Sequence, residues 1–427
     1  MKLNNYKRVL LSGLLLLAAC KPKVDVAPAS NGGVDFSAYI AVGDSQTAGY
    51  ADGGLYRTAQ LNSFPNIIAD QLKAVGGGNF SQPLFSEAQA SGTGYRKIDK
   101  FNADGTPSIV DVPAAALRST SPVLFIKYTG DNSNYGIPGI KVIHTSIAGY
   151  GNLNPYFERV LTSSYPAANT TYLDYITAKP YTFFTSWLGN NDALGYATAG
   201  GVGETLTDKS VFAAAYSAVI EKLTAGGKKG TIATVPDVSA IPFFNTVTIP
   251  VLLAAVQRAA PTVTTLYVNA RKSADAGTTT YESRPATTAD LITLTFPTSK
   301  LGVNGYGVSP LNPIENQYVL DANEVTLVKD YVNAYNQTIT SLAAAKGLAL
   351  FDVYAFLNNI KQKGLLINGV NLSAIYISGG LFSLDGVHLT PKGYAIIANE
   401  FIKATNAKYG SNIPQADVNK YNSVIFP

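Results

Sequence analysis

The chain has 427 residues, of which 46% are hydrophobic and only 14% are charged, and its formal net charge is +4. This composition excludes a highly charged, disordered protein, and so small a net charge gives no reason to expect nucleic acid as a partner. The single cysteine excludes an internal disulfide framework. The length is sufficient for a large hydrophobic core, in one domain or in two to three.

The first 20 residues have the features of an export signal. Lys2, Lys7 and Arg8 precede an apolar run that ends in Leu17-Ala-Ala-Cys20. The run is shorter than the ~20 apolar residues that span a bilayer, which favours a secretory signal over a membrane helix. Leu-Ala-Ala-Cys resembles the lipobox of bacterial lipoproteins, which implies cleavage after residue 19 and acylation of Cys20. The alternative is an ordinary signal peptide in which the cysteine is incidental.

An acylated Cys20 would hold the mature protein on a membrane, because several acyl chains anchor stably where a single chain is marginal. Residue 21 is lysine, not aspartate, which by the same resemblance favours the outer over the inner membrane of a bacterial cell envelope. Residues 20–34 are expected to form a flexible tether. The sequence thus predicts a signal peptide at 1–19, this tether, and a single domain over 35–427.

Strands and helices are predicted to alternate along that domain. A short apolar run predicts a buried strand that ends at Gly43-Asp44-Ser45. Further strands are predicted at 181–188, 230–235 and 348–352. Helices are predicted at 64–76, 154–162, 171–178, 208–225, 249–259, 323–345 and 391–407, with Asn323 and Thr390 as the N-caps of the last two. This alternation is typical of an α/β fold with a mostly parallel sheet, and segments near 76–130 and 240–320 interrupt it as insertions.

Only two histidines, His144 and His388, are available as a general base near neutral pH. Asp385 lies three residues before His388, a spacing at which a carboxylate can reach and orient the imidazole within a helical turn. His144 has no such neighbour. We expect His144 to be structural, and its alternative role is to line a cleft just past Gly139.

Four blocks of the sequence resemble those of the SGNH hydrolases, also called the GDSL esterase and lipase family. In the order of that family they are Gly43-Asp44-Ser45, Asn134 to Gly139, Gly189-Asn190-Asn191-Asp192, and Asp385-Gly386-Val387-His388. The first block departs from the family at Gln46, where leucine is usual. The resemblance covers residues 38–408 and implies a three-layer α/β/α sandwich around a mostly parallel, flavodoxin-like sheet.

The resemblance implies a role for five residues. Ser45 would attack an ester carbonyl, His388 would take its proton, and Asp385 would orient His388. The oxyanion would be stabilised by the backbone N–H groups of Ser45 and Gly139 and by the side-chain amide of Asn191.

Three neighbours of these residues receive no catalytic role. Asp44 and Asp192 are expected to form hydrogen bonds within their own turns, and Asn190 occupies the variable position of its block. Other chemistries fit less well, because the chain has no Gly-x-Ser-x-Gly, no His-Glu-x-x-His and no Cys-x-x-Cys, and both histidines follow Ser45. We therefore expect neither a metal nor a cofactor.

The expected function is that of a lipid-anchored serine esterase or lipase that hydrolyses carboxylic esters outside the cytoplasm. One alternative is a carbohydrate O-acetylesterase that uses the same residues, and another is a binding lipoprotein that has the fold without the chemistry. The insertions are rich in Phe, Tyr and Leu. They are expected to form either an acyl-binding lid or a surface addition with its own small core.

Overall fold

A computed structural model describes residues 27–427, so the predicted signal peptide and Cys20 lie outside the described residues. None of the helices within that range is both long enough and apolar enough to cross a membrane.

Five parallel strands form the central sheet. In chain order they are Tyr39–Gly43 (β1), Asn134–Gly136 (β2), Phe183–Trp187 (β3), Lys229–Ala233 (β4) and Ala349–Phe351 (β5). Their spatial order is β2-β1-β3-β4-β5. Every residue of β1 and β3 is buried, as expected for parallel strands covered on both faces. The order reverses between β1 and β3, and the carboxyl ends of strands at such a point are the usual ligand-binding edge of an open α/β sheet.

Helices cover both faces of the sheet. The α-helices of the described residues are Ser45–Ala48 (α1), Arg57–Leu61 (α2), Phe64–Leu72 (α3), Pro155–Val160 (α4), Tyr172–Ile176 (α5), Asn191–Thr198 (α6), Lys209–Thr224 (α7), Ile249–Gln257 (α8), Ala322–Ala345 (α9), Val353–Lys363 (α10) and Pro391–Tyr409 (α11). On one face α3 packs against α11, where the rings of Phe64 and Phe401 stack with centroids 4.9 Å apart. On the other face α7 packs against α9, and Phe212 stacks on Tyr335 at 3.9 Å. The predicted three-layer α/β/α sandwich is confirmed.

The segments predicted as insertions contain short antiparallel strand pairs outside the sheet. These pairs are 95–101 with 107–112, 117–120 with 123–125, 267–271 with 281–285, and 291–292 with 319–320; a further pair joins 365–367 and 370–372. Ten residues between Ile249 and Val319 form a hydrophobic cluster separate from the main core. Much of the second segment therefore has a core of its own, whereas Phe243 and Phe244 belong to the main core.

The sequence prediction differs from the structure at the N-cap of α9, and it lacks β2, α1, α2 and α6. The N-cap of α9 is Asp321, not Asn323, because the Asp321 carboxylate accepts the backbone N–H groups of Asn323 and Glu324. Glu324 in turn accepts the N–H of Asp321, which completes a capping box. The prediction also lacks α10, although Asp352 caps it by accepting the N–H of Ala355.

The described part of the predicted tether lies against the domain. Ser30 and Asn412 exchange backbone hydrogen bonds of 3.3 and 2.7 Å. The side-chain amide of Asn412 also donates to the carbonyls of Ala27 and Pro28. Residues 27–30 are thus fixed beside the end of α11, so the expected flexible tether is wrong for these four residues.

Candidate active site

Parallel pairing brings the ends of β1, β2 and β3 to one edge of the sheet. Gly43, the last residue of β1, pairs with Gly136 on one side and with Trp187 on the other. A Cβ at Gly43 would lie 2.0 Å from Thr47 Oγ1 and 2.7 Å from the Trp187 carbonyl oxygen, so only glycine fits there. Ser45 follows two residues later as the first residue of α1. The local sequence therefore turns the chain sharply and leaves Ser45 at the edge.

Ser45, His388 and Asp385 form one continuous chain of hydrogen bonds. His388 Nε2 lies 2.8 Å from Ser45 Oγ, and His388 Nδ1 lies 2.8 Å from Asp385 Oδ2. Ser45 is 8% exposed, so it is largely shielded from water while remaining accessible at the edge. The Nδ1–H tautomer required by Asp385 leaves Nε2 free to accept the Ser45 proton. This arrangement can generate a serine nucleophile.

The Asp385 carboxylate is held by several donors in addition to His388. Its Oδ1 accepts the backbone N–H groups of Val387 and His388 at 2.9 and 2.8 Å. Ser383 Oγ donates to Oδ1 at 3.2 Å, and the Gly53 N–H donates to Oδ2 at 2.9 Å. Burial by itself raises the pKa of Asp385, but the neighbouring His388 and these hydrogen bonds outweigh it and hold that pKa well below its ordinary value. Asp385 is therefore ionised whenever the protein is folded near neutral pH.

The three predicted oxyanion donors lie at the ends of β1, β2 and β3. Among the hydrogen bonds of residues 27–427, the backbone N–H groups of Ser45 and Gly139 have no acceptor. Gly139 has a φ of +79°, a left-handed conformation that favours glycine. The Asn191 side-chain amide donates one hydrogen to the Ile140 carbonyl at 3.1 Å, which fixes the amide and leaves its second hydrogen free. Unpaired donors of this kind are what a developing oxyanion requires.

Asn154 fixes the segment that contains Gly139. Its Nδ2 donates to the Pro138 carbonyl at 2.9 Å, and its Oδ1 accepts two backbone N–H groups at the start of α4. Asn154 was not among the residues predicted for the site. Its signal was present, because asparagine followed by Pro155 is a typical N-cap and first helical residue.

Asp44, Asn190 and Asp192 hold the loops of the site together. Asp44 accepts the Gln46 N–H within its own turn, as predicted, and also the Asn190 side-chain amide at 2.9 Å. The prediction for Asp192 is wrong, because its carboxylate reaches outside its turn to the Val142 N–H and to the Thr207 hydroxyl, at 2.8 and 2.7 Å. Burial raises the pKa of both Asp44 and Asp192 to about 6. Asn190 thus connects the turn of Ser45 to that of Asn191.

His144 lies in a short 3-10 turn. Its Nδ1 accepts the backbone N–H of Lys141 at 3.1 Å, and its ring stacks on Tyr150 with centroids 4.6 Å apart. Burial lowers the pKa of His144, so this side chain tends to be neutral. These contacts fit the structural role expected from the sequence. Among the described residues, no group of three His, Cys, Asp or Glu side chains is arranged to hold a metal ion.

A small, mostly apolar cavity lies beside the predicted catalytic residues. Its volume is about 30 Å³. It is lined by Gln46, Trp187, Asn190, Leu194, Val235, Pro236, Val238, Ile241, Leu357, Phe382, Val387 and Leu389. Three of these lining residues, Gln46, Asn190 and Val387, are the chain neighbours of Ser45, Asn191 and His388. Within the described part of the chain, Gln46 Oε1 is buried without a hydrogen-bond partner. Gln46 therefore gives the cavity lining a polar atom that the leucine usual at this position would not supply.

Comparison with known proteins identifies the family. The family model described as GDSL-like lipase/acylhydrolase matches residues 39–401. No curated protein matches the sequence significantly.

Several solved structures are similar at low sequence identity. An alpha/beta hydrolase enzyme from the metagenome of Lake Arreo is 13% identical, with a TM-score of 0.36 and coverage of 88% of this chain and 97% of that one. The lipase/acylhydrolase of Enterococcus faecalis is 12% identical, with a TM-score of 0.32 and coverage of 88% and 98%. An acetyl xylan esterase of Geobacillus stearothermophilus is 11% identical, with a TM-score of 0.35 and coverage of 90% and 99%.

The raised pKa values of Asp44 and Asp192 predict a stability that depends on pH. Both carboxyls have pKa values of about 6 in the folded protein. They therefore retain their protons to a higher pH in the folded protein than in the unfolded chain. The free energy of unfolding should therefore fall as the pH rises from about 4 to about 6.5. Asp192→Asn removes one of these titrations and should make the fall smaller, as measured by urea unfolding across this range.

Asp99→Asn is the matched control for this prediction, because Asp99 is exposed. It should leave the pH dependence unchanged. The depressed pKa of Asp385 raises the free energy of unfolding up to about pH 5, and it does so equally in the wild type and in Asp192→Asn, so the comparison of their slopes isolates Asp192. Equal slopes in the wild type and in Asp192→Asn would contradict the prediction.

Proposed function

This chain belongs to the GDSL-like lipase/acylhydrolase family, and we propose that it hydrolyses carboxylic esters through an acyl-enzyme intermediate on Ser45. The observation that carries the proposal is the unbroken hydrogen-bond chain from Ser45 Oγ through His388 to the ionised Asp385. A binding protein would have no need of this chain, because its alignment serves proton transfer.

The first half of the reaction forms the acyl-enzyme. Ser45 Oγ bonds to the carbonyl carbon while its proton passes to His388 Nε2. The carbonyl oxygen becomes an oxyanion, which accepts hydrogen bonds from the N–H groups of Ser45 and Gly139 and from the Asn191 amide. When the tetrahedral species collapses, the bond to the alcohol oxygen breaks and His388 gives its proton to that oxygen. The alcohol leaves, and the acyl group remains on Ser45.

The second half of the reaction uses the same groups. A water molecule gives a proton to His388 Nε2 and attacks the acyl carbon. The same donors stabilise the second oxyanion, and its collapse returns the proton to Ser45 Oγ and releases the acid. Asp385 remains ionised throughout and stabilises the positive charge that His388 carries in each half.

Replacement of the nucleophile tests this function. Ser45→Ala should lower kcat/KM for p-nitrophenyl acetate by about 10⁴-fold or more, because the remaining groups only bind and polarise the ester. The thermal unfolding midpoint should change little. Ser86→Ala is the matched control, because Ser86 is exposed and its side chain caps no helix. Full activity in Ser45→Ala would exclude the assignment.

The small cavity supports a preference for short acyl groups. A water molecule needs about 10–15 Å³ on this scale, so a cavity of about 30 Å³ accepts a group of about two heavy atoms. Most of its lining is aliphatic or aromatic, which suits the methyl end of an acyl chain. We propose that the acyl group enters this cavity and that acetyl and similarly short esters are preferred. The same observation favours the second candidate function, a carbohydrate O-acetylesterase.

A series of p-nitrophenyl esters tests the size of the acyl group. We expect kcat/KM to fall by about 10-fold or more between butyrate and octanoate, and palmitate to be hydrolysed least. Leu194→Ala should widen the cavity, because Leu194 lines it, and should improve octanoate relative to acetate. Leu311→Ala, at a site 94% exposed, is the matched control. A preference for octanoate or palmitate in the wild type would contradict the proposal.

We further propose that the mature enzyme is anchored by lipid on Cys20 in the bacterial cell envelope, in the outer membrane rather than the inner membrane. The support is the sequence Leu17-Ala-Ala-Cys20 after a basic and apolar leader. Residues 27–30, bonded to Asn412, leave only a few residues between such an anchor and the folded domain.

Replacing the cysteine tests the anchor. In a bacterial host, Cys20→Ala should abolish incorporation of labelled palmitate and should move the enzyme out of the membrane fraction, because no other cysteine is available for acylation. The control is Ser45→Ala, which should remain labelled and membrane-bound. Labelling that persists in Cys20→Ala would contradict the proposal.

A further inference from the structure

A tight turn that follows the nucleophile is bonded directly to Asp385. In this turn Ala51 and Gly54 exchange backbone hydrogen bonds of 3.0 and 2.9 Å. Its two central residues, Asp52 and Gly53, have φ values of +54° and +79°. The Gly53 N–H donates to Asp385 Oδ2 at 2.9 Å, the same oxygen that accepts from His388 Nδ1.

Every polar group of Asp52 has a partner, and two of these partners belong to the segment that contains Asp385. Asp52 Oδ1 accepts the Leu384 N–H at 2.9 Å, and the Asp52 N–H donates to Ser383 Oγ at 2.9 Å. Asp52 Oδ2 accepts the Tyr56 hydroxyl at 2.6 Å, and the Asp52 carbonyl accepts the Arg96 N–H at 2.8 Å. Asp52 therefore joins the segment after Ser45, the segment before His388 and the first insertion.

Two routes lead from Asp52 to the catalytic carboxylate. The first runs through the backbone to the Gly53 N–H and from there to Asp385 Oδ2. The second runs through Ser383, whose Oγ accepts from the Asp52 N–H and donates to Asp385 Oδ1 at 3.2 Å. One residue thus sets donors on both oxygens of the carboxylate.

The residue type matches the backbone at this position. Turns with two central residues in the left-handed region strongly prefer Asp-Gly or Asn-Gly. Alanine disfavours that region because its Cβ clashes with the backbone, and alanine also lacks the acceptors for Leu384 and Tyr56. Asparagine tolerates the conformation and keeps one carbonyl oxygen for the Leu384 N–H.

We propose that Asp52 is a positioning residue of the active site, which holds Gly53 and Ser383 as donors against Asp385 and thereby keeps His388 aligned with Ser45. The proposal rests on the function proposed above. Among the hydrogen bonds of residues 27–427, none joins Asp52 to Ser45 or to a residue that lines the small cavity. Its loss should therefore impair proton transfer and leave ester binding intact.

Three variants test this role with p-nitrophenyl acetate as substrate. Asp52→Ala should lower kcat by about 10- to 100-fold, because small displacements of catalytic groups have effects of this size, and KM should stay within about twofold. Asp52→Asn should keep most of the activity. Asp104→Ala is the matched control, since it removes an aspartate that accepts two hydrogen bonds in a remote surface turn, and it should leave kcat unchanged.

A second readout reports on the nucleophile without any ester. A fluorophosphonate that reacts with activated serines should label Ser45 more slowly in Asp52→Ala, by a factor close to the loss in kcat. If Asp52→Ala does not fold, Tyr56→Phe serves instead, because it removes one contact of Asp52 and keeps the turn. Tyr56→Phe should lower kcat by a smaller factor, with KM again unchanged.

Three results would overturn the proposal. They are unchanged kcat in Asp52→Ala and Tyr56→Phe, a rise in KM with kcat intact, and a loss in Asp52→Asn as large as that in Asp52→Ala. The function proposed above fails separately, when Ser45→Ala keeps its activity or when the fluorophosphonate labels a different residue. An inactive Ser45→Ala together with a fully active Asp52→Ala would reject only the role of Asp52.

Discussion

The parallel pairing of β1 with both β2 and β3 is the constraint on which the site depends. Gly43 pairs with Gly136 and with Trp187, so three strands end level at one edge. The chain leaves each strand in a different turn, and these turns hold the proposed nucleophile and the proposed oxyanion donors. None of the proposed catalytic groups lies on a strand itself. The sheet supplies a rigid edge, and short loops with specific side-chain bonds hold the proposed catalytic groups there.

The carboxylates around this edge are divided into two kinds by their hydrogen bonds. Asp385 accepts from His388 and from several N–H and O–H donors, so it remains ionised despite its burial. Asp44 and Asp192 have fewer donors, and burial dominates and raises their pKa values to about 6. The first kind is proposed to orient the general base, whereas the second joins loops at some cost in stability near neutral pH. The neighbouring His388 and the local supply of hydrogen bonds, not burial alone, therefore decide that Asp385 carries the charge.

The sequence predicted most of the central fold because its signals there are local. Buried strands, capped helices and the four blocks can each be recognised within about ten residues, and the Thr390 cap of α11 was predicted in this way. The catalytic roles of Ser45, His388 and Asp385 stay predictions until they are measured, although the structure places all three in contact. Asp52 escaped prediction because partners such as Leu384 lie far away in sequence. Asn154 carried a local signal as an N-cap, but nothing local indicated its bond to the Pro138 carbonyl. An Asp-Gly dipeptide is typical of a tight turn, but nothing local indicates what the turn at Asp52 and Gly53 contacts.

The chain contains a single tryptophan, and the fold places it in the wall of the small cavity. Trp187 ends β3 and is 2% exposed, with Phe64 and Phe401 packed against its indole ring. The chain also has 26 tyrosines, but tryptophan absorbs at longer wavelengths than tyrosine. Fluorescence excited at those longer wavelengths therefore comes from one side chain in the lining of the cavity that is proposed to receive the acyl group.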